Sequence, residues 1–251
     1  MTRINFLFLF LIFPLLTAKG QTKSLFPEMT EILIDSLSST IKTRFYYDKK
    51  TTKLINKPCY SRFVNRPFPC DEIQNSNRLI IVGKFKNELV KDSLTIVYST
   101  GFGNSDSKFG ICTENKELIL GFRALNFCIN SNGIIYTTGH INNTFNKRQK
   151  FQIINDTTVL EVKQPYNYVG LKGKLRRDIT LFKERTGDEI VEIVLTGNEV
   201  EILLTESSEK ETRADKFLVK TSIGIIGWLI LKNEEDFFGN ILKDLYFAGA
   251  N

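Results

Sequence analysis

The spacing of apolar residues changes along the chain, from a helical period near the N-terminus to the two-residue period of β-strands. Met29, Leu33, Leu37 and Ile41 recur at intervals of four residues, so they would line one face of a helix. The pattern predicts a helix at about residues 26–42, with a stripe that packs on a core.

From residue 45 to residue 150 the apolar residues fall in short runs or alternate with polar ones, which is typical of strands. These runs predict strands at residues 79–82, 94–98, 117–122 and 133–138. We therefore expect residues 21–150 to form a mainly β domain that carries the one N-terminal helix.

The alternation is clearest in residues 174–251. It predicts strands at residues 175–182, 189–194, 199–204, 217–221 and 228–231, followed by a short helix at 237–247. Gly197, Gly224 and Gly227 lie where tight turns are expected. So many short strands in so short a segment bury a core by curling into a small barrel.

Charge divides the chain at a similar place. Residues 174–251 contain 11 Lys or Arg and 15 Asp or Glu, a net charge of −4. Residues 21–173 contain 21 Lys or Arg and 13 Asp or Glu, a net charge of +8. This asymmetry predicts two units with different surfaces, joined within residues 151–173.

The first 20 residues have the features of a signal peptide. Arg3 precedes an apolar run from Phe6 to Leu16, and Ala18 and Gly20 are the small residues that a signal peptidase reads. The run is too short to span a membrane, which takes about 20 residues. We expect an exported protein, secreted or periplasmic, with no integral membrane span. Export disfavours nucleic acid as a partner.

All four Cys lie beyond that segment, and an even number in an exported protein permits disulfides. Cys59, Cys70, Cys112 and Cys128 allow three connectivities, of which Cys59–Cys70 with Cys112–Cys128 is the most local. A metal site is the alternative, but zinc ligands usually come in pairs about two to four residues apart. The wide spacing here favours disulfides, with no metal and no cofactor, and free buried thiols are the further alternative for some of the four.

Two stretches of the C-terminal unit resemble bacterial Src-homology-3-like (SH3b-type) domains. They are Val194-Leu-Thr-Gly-Asn-Glu-Val-Glu-Ile-Leu203 and Phe217-Leu-Val-Lys-Thr-Ser-Ile-Gly-Ile-Ile-Gly-Trp228, which ends in the Gly-x-x-Gly-Trp of that family. The resemblance covers residues 174–233. The chain departs from the family in two places: Leu175–Ile179 is only an approximate counterpart of the family's Asn-x-Arg element, and the loop after Leu204 is long and acidic.

This resemblance implies a binding accessory that recognises cell-wall peptides, glycans or protein partners in exported bacterial proteins. The candidate ligand-binding residues are Trp228, Phe217 and Lys220. Trp228 is also expected to cap one end of the barrel, as a core residue whose indole N–H has a carbonyl partner.

Residues 79–140 resemble, more distantly, the closing strands of netrin-like folds of the tissue-inhibitor-of-metalloproteinases type. That resemblance implies an oligonucleotide/oligosaccharide-binding (OB-like) barrel in the first unit, and it opens the alternative of an extracellular protease inhibitor. Those inhibitors carry a Cys at the mature N-terminus, where this sequence has Gln21.

Catalysis would need a nucleophile with a base, paired carboxylates or a metal. Cys112 and the single His, His140, form the candidate pair for a cysteine-dependent peptidoglycan or peptide hydrolase. The residues around Cys112 lack the motif of such peptidases, so we expect no catalytic residues. The leading hypothesis is an exported, non-catalytic binding protein whose SH3-like module recognises a protein or a cell-envelope component.

Overall fold

The computed structural model of the protein describes residues 26–34, 43–60, 78–99, 108–115, 117–140, 143–206, 215–232, 236 and 239–247. These residues are mainly in strands, which confirms the predicted mainly β class. They contain no helix with the length and apolarity that a membrane crossing requires. The predicted signal peptide, residues 1–20, lies outside the described residues.

The first unit contains two sheets. Its strands are β1 (Thr30–Ile34), β2 (Thr43–Tyr47), β3 (Thr52–Tyr60), β4 (Arg78–Phe85), β5 (Leu94–Ser99), β6 (Lys108–Cys112), β7 (Leu118–Arg123), β8 (Asn126–Ile129), β9 (Ile134–Gly139), β10 (Lys147–Asn155) and β11 (Thr158–Glu161). The six-stranded sheet has the order β1-β2-β8-β9-β10-β11, and the five-stranded sheet has the order β3-β4-β5-β6-β7. Neighbouring strands are antiparallel except β2 and β8, which are parallel.

An aromatic core joins these two sheets. The ring of Phe127 in the six-stranded sheet lies 5.0 Å from Phe45 of the same sheet and 5.0 Å from Phe109 of the five-stranded sheet. Phe122 lies 5.1 Å from the same ring. Buried aromatic pairs at such distances contribute roughly 0.5–1.5 kcal/mol beyond the burial of their area, so the two sheets share one hydrophobic core.

The helix predicted at residues 26–42 is wrong for its first half, since Thr30–Ile34 form strand β1. Ile34 is buried and Ile32 packs on the core, whereas Glu31 and Leu33 are exposed, which is a two-residue period. Pairing with β2 places Ile32 opposite Phe45, and this tertiary contact overrides the helical spacing. Residues 35–42 lie outside the described residues.

The second unit is one six-stranded antiparallel sheet. Its strands are β12 (Tyr166–Lys174), β13 (Ile179–Phe182), β14 (Ile190–Val194), β15 (Glu199–Glu206), β16 (Lys216–Thr221) and β17 (Ile226–Ile230), in the order β12-β15-β16-β17-β13-β14. One face of the sheet buries a second hydrophobic core. Within the described residues all three sheets have two end strands, so barrel closure, SH3-like or OB-like, stays a prediction.

The segment at residues 239–247 covers the second core as a series of turns, not as the predicted C-terminal helix. Gly239 has a φ of +75°, which a right-handed helix does not allow. The Ile241 carbonyl accepts a hydrogen bond of 2.9 Å from the Arg176 N–H, so it is engaged outside a helical ladder. The Leu245 N–H donates to Leu242 instead, as in a turn. Burial of Ile241, Leu242 and Leu245 holds the segment in place.

The expected joint, residues 151–173, contributes to both units. The segment contains the end of β10 and all of β11, which belong to the first unit, and most of β12, which begins the second unit. The change of sheet therefore falls between Glu161 and Tyr166. Phe145 precedes β10 yet is buried in the second core, where its ring lies edge-on to Phe217. The chain therefore visits the second unit before it completes the first.

We predict that Phe145→Ala destabilises the second unit by about 3–5 kcal/mol, because it leaves a cavity against Phe217. Urea unfolding monitored by Trp228 fluorescence measures this change. Ile154→Ala, at an exposed position on β10, is the control and should shift the midpoint little. An unfolding midpoint unchanged by Phe145→Ala would show that Phe145 does not support the second core.

Candidate binding site

The inner and outer faces of the second sheet follow from strand alternation. Phe217 and Val219 on β16 are fully buried against the second core. Leu218 lies between these two residues and Lys220 follows them, so both side chains project from the outer face of the sheet. On β17 the side chain of Leu229 is buried on the inner face, so the side chain of its neighbour Trp228 lies on the outer face.

A continuous row of apolar side chains crosses this outer face. Each member is the register partner of the next across all six strands. The apolar row consists of Tyr168, Leu204, Leu218, Trp228, Phe182 and Ile190. With strands about 4.8 Å apart, the row is roughly 24 Å long. The row therefore spans the whole width of the described sheet.

The row is most exposed at its two ends. Tyr168 is 52% exposed and Ile190 is 55% exposed, whereas the four residues between them are half-buried. Half-buried cross-strand neighbours hold one another in fixed positions, and each pair contributes about 0.2–1 kcal/mol to the sheet. The row is therefore an ordered surface, and part of its apolar side-chain area remains accessible to solvent.

Two cations lie over aromatic rings of the row. The guanidinium carbon of Arg148, from β10 of the first unit, lies 4.7 Å from the ring centre of Tyr168. The Nζ of Lys232 lies 5.5 Å from the ring centre of Phe182. Such contacts, worth roughly 0.5–1 kcal/mol at exposed sites, place positive charge near both sides of an apolar row on an acidic unit.

A charged row runs beside the apolar one. Lys172 Nζ lies 3.4 Å from Glu201 Oε2, and Glu201 is the register partner of Lys220. Lys220 is in turn opposite the exposed Ile226. The outer face is thus amphipathic in stripes, with charged side chains along one flank of the apolar row.

Two glycines shape the hairpin that carries Trp228. Gly224 has a φ of +94° in the turn between β16 and β17, a conformation that side chains disfavour. Gly227 allows close approach: a Cβ there would lie 2.8 Å from the Leu181 Cβ. This approach brings β17 against β13 and sets Trp228 opposite Phe182. The third predicted turn residue, Gly197, has a φ of +84°.

Strand β14 ends the sheet with exposed apolar side chains. Ile193 is 57% exposed, and Val191 and Leu195 are also exposed. Ile190 pairs with Phe182 and Glu192 with Leu181, so Val191 between them is the extra residue of a β-bulge. In the described part of the sheet β14 has β13 as its neighbour on one side.

The structure brings together two of the three predicted ligand-binding residues. Trp228 and Lys220 share the outer face, where they are diagonal neighbours on paired strands. Phe217 is 0% exposed and lies in the core, so it supports the face from beneath rather than forming part of it. The single Trp is half-buried in the middle of the apolar row, and no closed barrel end is described for it to cap.

Sequence reasoning missed the other five members of the apolar row. Alternation with Phe217 and Val219 is the signal that identifies Leu218. The same alternation predicts Leu204 on the core face with Val200 and Ile202, and this is wrong, because the bulge between Ile202 and Leu204 turns Leu204 outward. Combining their strands into one row also requires the strand order and the bulges on β14 and β15, which lie outside sequence periodicity.

The cysteines do not form the expected Cys112–Cys128 disulfide, because both are buried thiols on strands of different sheets. Cys112 on β6 is the register partner of Thr95 on β5. Cys128 on β8 is the register partner of Tyr46 on β2 and of Tyr136 on β9. Burial, with Glu28 nearby, raises the pKa of the Cys128 thiol to about 12. The Cys59–Cys70 pairing falls outside the described residues, which lack Cys70 and the side chain of Cys59.

His140 contacts the C-terminal segment. Its Nε2 lies 2.9 Å from the Tyr246 carbonyl oxygen, and its ring stacks on Tyr246 at 4.6 Å. Cys112 is buried on β6 of the five-stranded sheet, whereas His140 follows β9 of the six-stranded one. These placements give the candidate catalytic pair no support.

Carboxylates gather in one small cleft of the first unit, lined by Asp92, Glu114, Glu117 and Asp156. The Asp92 N–H donates to Asp156 Oδ1 at 3.0 Å, which ties the two loops together. Among the described residues, no three His, Cys, Asp or Glu side chains converge as a metal site requires.

Comparison of the chain with protein-family models, curated proteins and solved structures gives no match.

We predict that Phe217→Ala costs about 3–5 kcal/mol of unfolding free energy, since it leaves a cavity in the core. Trp228→Ala should cost no more than about 2 kcal/mol, because the indole already retains exposed surface. Chemical denaturation followed by circular dichroism compares them. Equal costs would place Trp228 in the core and remove it from the binding face.

We predict that Cys128 resists alkylation in the folded protein. The thiolate is the reactive form, and a pKa of about 12, against the usual 9.0, leaves the thiol protonated near pH 8. Iodoacetamide labelling followed by peptide mass analysis should show slow modification at Cys128 in the native state and rapid modification in urea. Fast native labelling would contradict this protected environment.

Proposed function

We propose that the protein is an exported, non-catalytic binding protein that recognises a protein or a cell-envelope component through the outer face of its second unit. The observation that carries this proposal is the apolar row, which runs from Tyr168 to Ile190 and crosses every strand of the sheet. Ordered apolar surface flanked by charge is the usual make-up of a recognition surface.

The inner face of the same sheet cannot serve this role. It is filled by the segment at residues 239–247 and by Phe145, which bury the apolar side chains beneath the strands. Binding by this unit is therefore assigned to the outer face, with Trp228 at its centre and Lys220 on its charged flank.

The SH3-like assignment of the second unit belongs to this proposal. The hairpin with Gly224, Gly227 and Trp228 supports it, since both glycines meet a backbone requirement in the structure. The two arginines of the segment Leu175–Ile179 have a structural role instead. Arg176 donates from its side chain to the Gly239 carbonyl, and Arg177 pairs with the buried Asp236. These arginines hold the C-terminal segment, so ligand contact falls to the apolar row.

Export rests on the N-terminal segment with Arg3 and the apolar run from Phe6 to Leu16. The hydrolase alternative has no comparable support, given where Cys112 and His140 lie. The protease-inhibitor alternative depends on a Cys at the mature N-terminus, where the sequence has Gln21.

We predict that Leu218→Lys weakens binding at least tenfold, which corresponds to about 1.4 kcal/mol, because it places a charge in the middle of the apolar row. The probes are purified peptidoglycan fragments and detergent-free envelope protein fractions. Emission of the single Trp228 and co-sedimentation report binding.

Leu160→Lys is the matched control, since it makes the same change at an exposed position on β11 of the first unit. It should bind like the unmodified protein. Equal binding by Leu218→Lys would contradict the proposed face. Peptidoglycan hydrolysis that disappears with Cys112→Ala would contradict the non-catalytic assignment.

A further inference from the structure

We propose that strand β14 is a docking edge that accepts an extended strand from a partner protein, with a Lys or Arg of that strand placed opposite Glu192. This inference rests on the proposed binding function and names the chemistry of one partner. The added strand would become the seventh strand of the second sheet, next to β14 at the end of the present six.

The docking edge carries apolar side chains that are exposed to solvent. Ile190 and Ile193 are both more than half exposed, and Val191 and Leu195 are exposed beside them. An edge strand also presents a line of backbone donors and acceptors that another strand can pair. An added strand would cover these side chains and complete the hydrogen-bond ladder at the same time.

Glu192 gives the edge its selectivity. It is the register partner of Leu181, which is fully buried, so its side chain lies on the inner side of the sheet. Its Oε2 atom is buried and has no hydrogen-bond partner among the described residues. A buried acceptor without a partner costs stability, and a cation from an added strand would remove that cost.

Charge argues against a second copy as the occupant. Antiparallel pairing of β14 about its centre would place Glu192 opposite its own copy, and like charges in directly opposed positions destabilise a sheet. An inward-pointing charge and a bulge, here at Val191, are also the features by which edge strands resist self-association. The bulge disfavours any casual pairing, and the inward-pointing Glu192 disfavours an acidic strand and favours a basic one.

The surroundings of the edge have the same sign. Asp188 and Glu189 precede β14, and residues 174–251 carry a net charge of −4. The ammonium of Lys183 lies 3.1 Å from Glu189 and so partly offsets its charge, whereas none of the ion pairs between described residues involves Glu192. A partner strand with a basic residue at its centre complements this pattern.

The apolar row continues into the docking edge. Ile190 is the last member of the row, so an apolar residue placed opposite it by an added strand would extend the row by one position. The partner strand is thus expected to alternate, with apolar residues on the outer side and a cation on the inner side at Glu192.

The experiment uses the full chain and a fluorescein-labelled, end-capped peptide of sequence Val-Thr-Ile-Lys-Ile-Thr-Val. Its symmetric pattern presents the central Lys in either strand direction. Matched peptides carry Glu or norleucine at the centre, and a fourth carries N-methyl groups on alternate backbone amides. Fluorescence anisotropy gives each Kd, and amide chemical shifts locate the bound peptide.

We expect the Lys peptide to bind at least tenfold more tightly than the Glu peptide and to shift the amides of β14. N-methylation should abolish binding, because it removes ladder hydrogen bonds. Glu192→Lys should reverse the preference between the Lys and Glu peptides. Glu199→Lys makes the same change of net charge on β15, away from this edge, and should leave the preference intact.

Equal affinity for the Lys and Glu peptides, or a Kd weaker than about 1 mM for every peptide, would overturn the proposal. So would an equal effect of Glu199→Lys and Glu192→Lys, which would indicate bulk charge alone. A concentration-dependent dimer that Val191→Pro abolishes would identify a second copy as the occupant and also overturn it. Binding of envelope fractions that is sensitive to Leu218→Lys, without peptide binding, would sink this inference and leave the proposed function standing.

Discussion

The burial of Phe217 and Val219 beneath the second sheet is the constraint on which its outer surface depends. Because strand side chains alternate between faces, these two fully buried residues determine that Leu218 and Lys220 face outward. The paired strands carry this choice across the sheet and place Trp228 outside. A slip of one residue would bury Lys220 and expose the core, so the register of the outer face is as firm as the core itself.

Two arginines of the second unit have a structural role. Arg176 and Arg177 fasten the C-terminal segment through Gly239 and Asp236, and Asp236 also accepts a hydrogen bond from the Lys232 N–H. That segment in turn closes the inner face. The opposite side of the sheet, which we propose as the binding face, is built from strand positions.

The sequence predicted the class of fold and the strands of both units better than it predicted how the strands combine. Local alternation was sufficient for β5 and β16, whose faces follow directly from their apolar residues. On β15 it was not, because a bulge turns Leu204 away from the face of Val200 and Ile202. It failed at Thr30–Ile34, where pairing with β2 overrides a helical period, and at 239–247, where Gly239 and the bond to Arg176 end any helix. Trp228 and Lys220 could be found from local pattern. Tyr168 and Ile190 could not. Tyr168 lies on β12, in the segment interpreted as the joint, and the place of both residues depends on strand order across the sheet.

Phe145 makes the two units inseparable by a single cut. The chain leaves β9 of the first unit, places Phe145 in the second core, and then returns to the first unit as β10 and β11. A fragment beginning at Tyr166 would lack the ring that lies against Phe217, and a fragment ending at Glu161 would carry that ring on its surface. The units are therefore interleaved along the sequence, so that no single cut between β11 and β12 yields two fragments with intact cores.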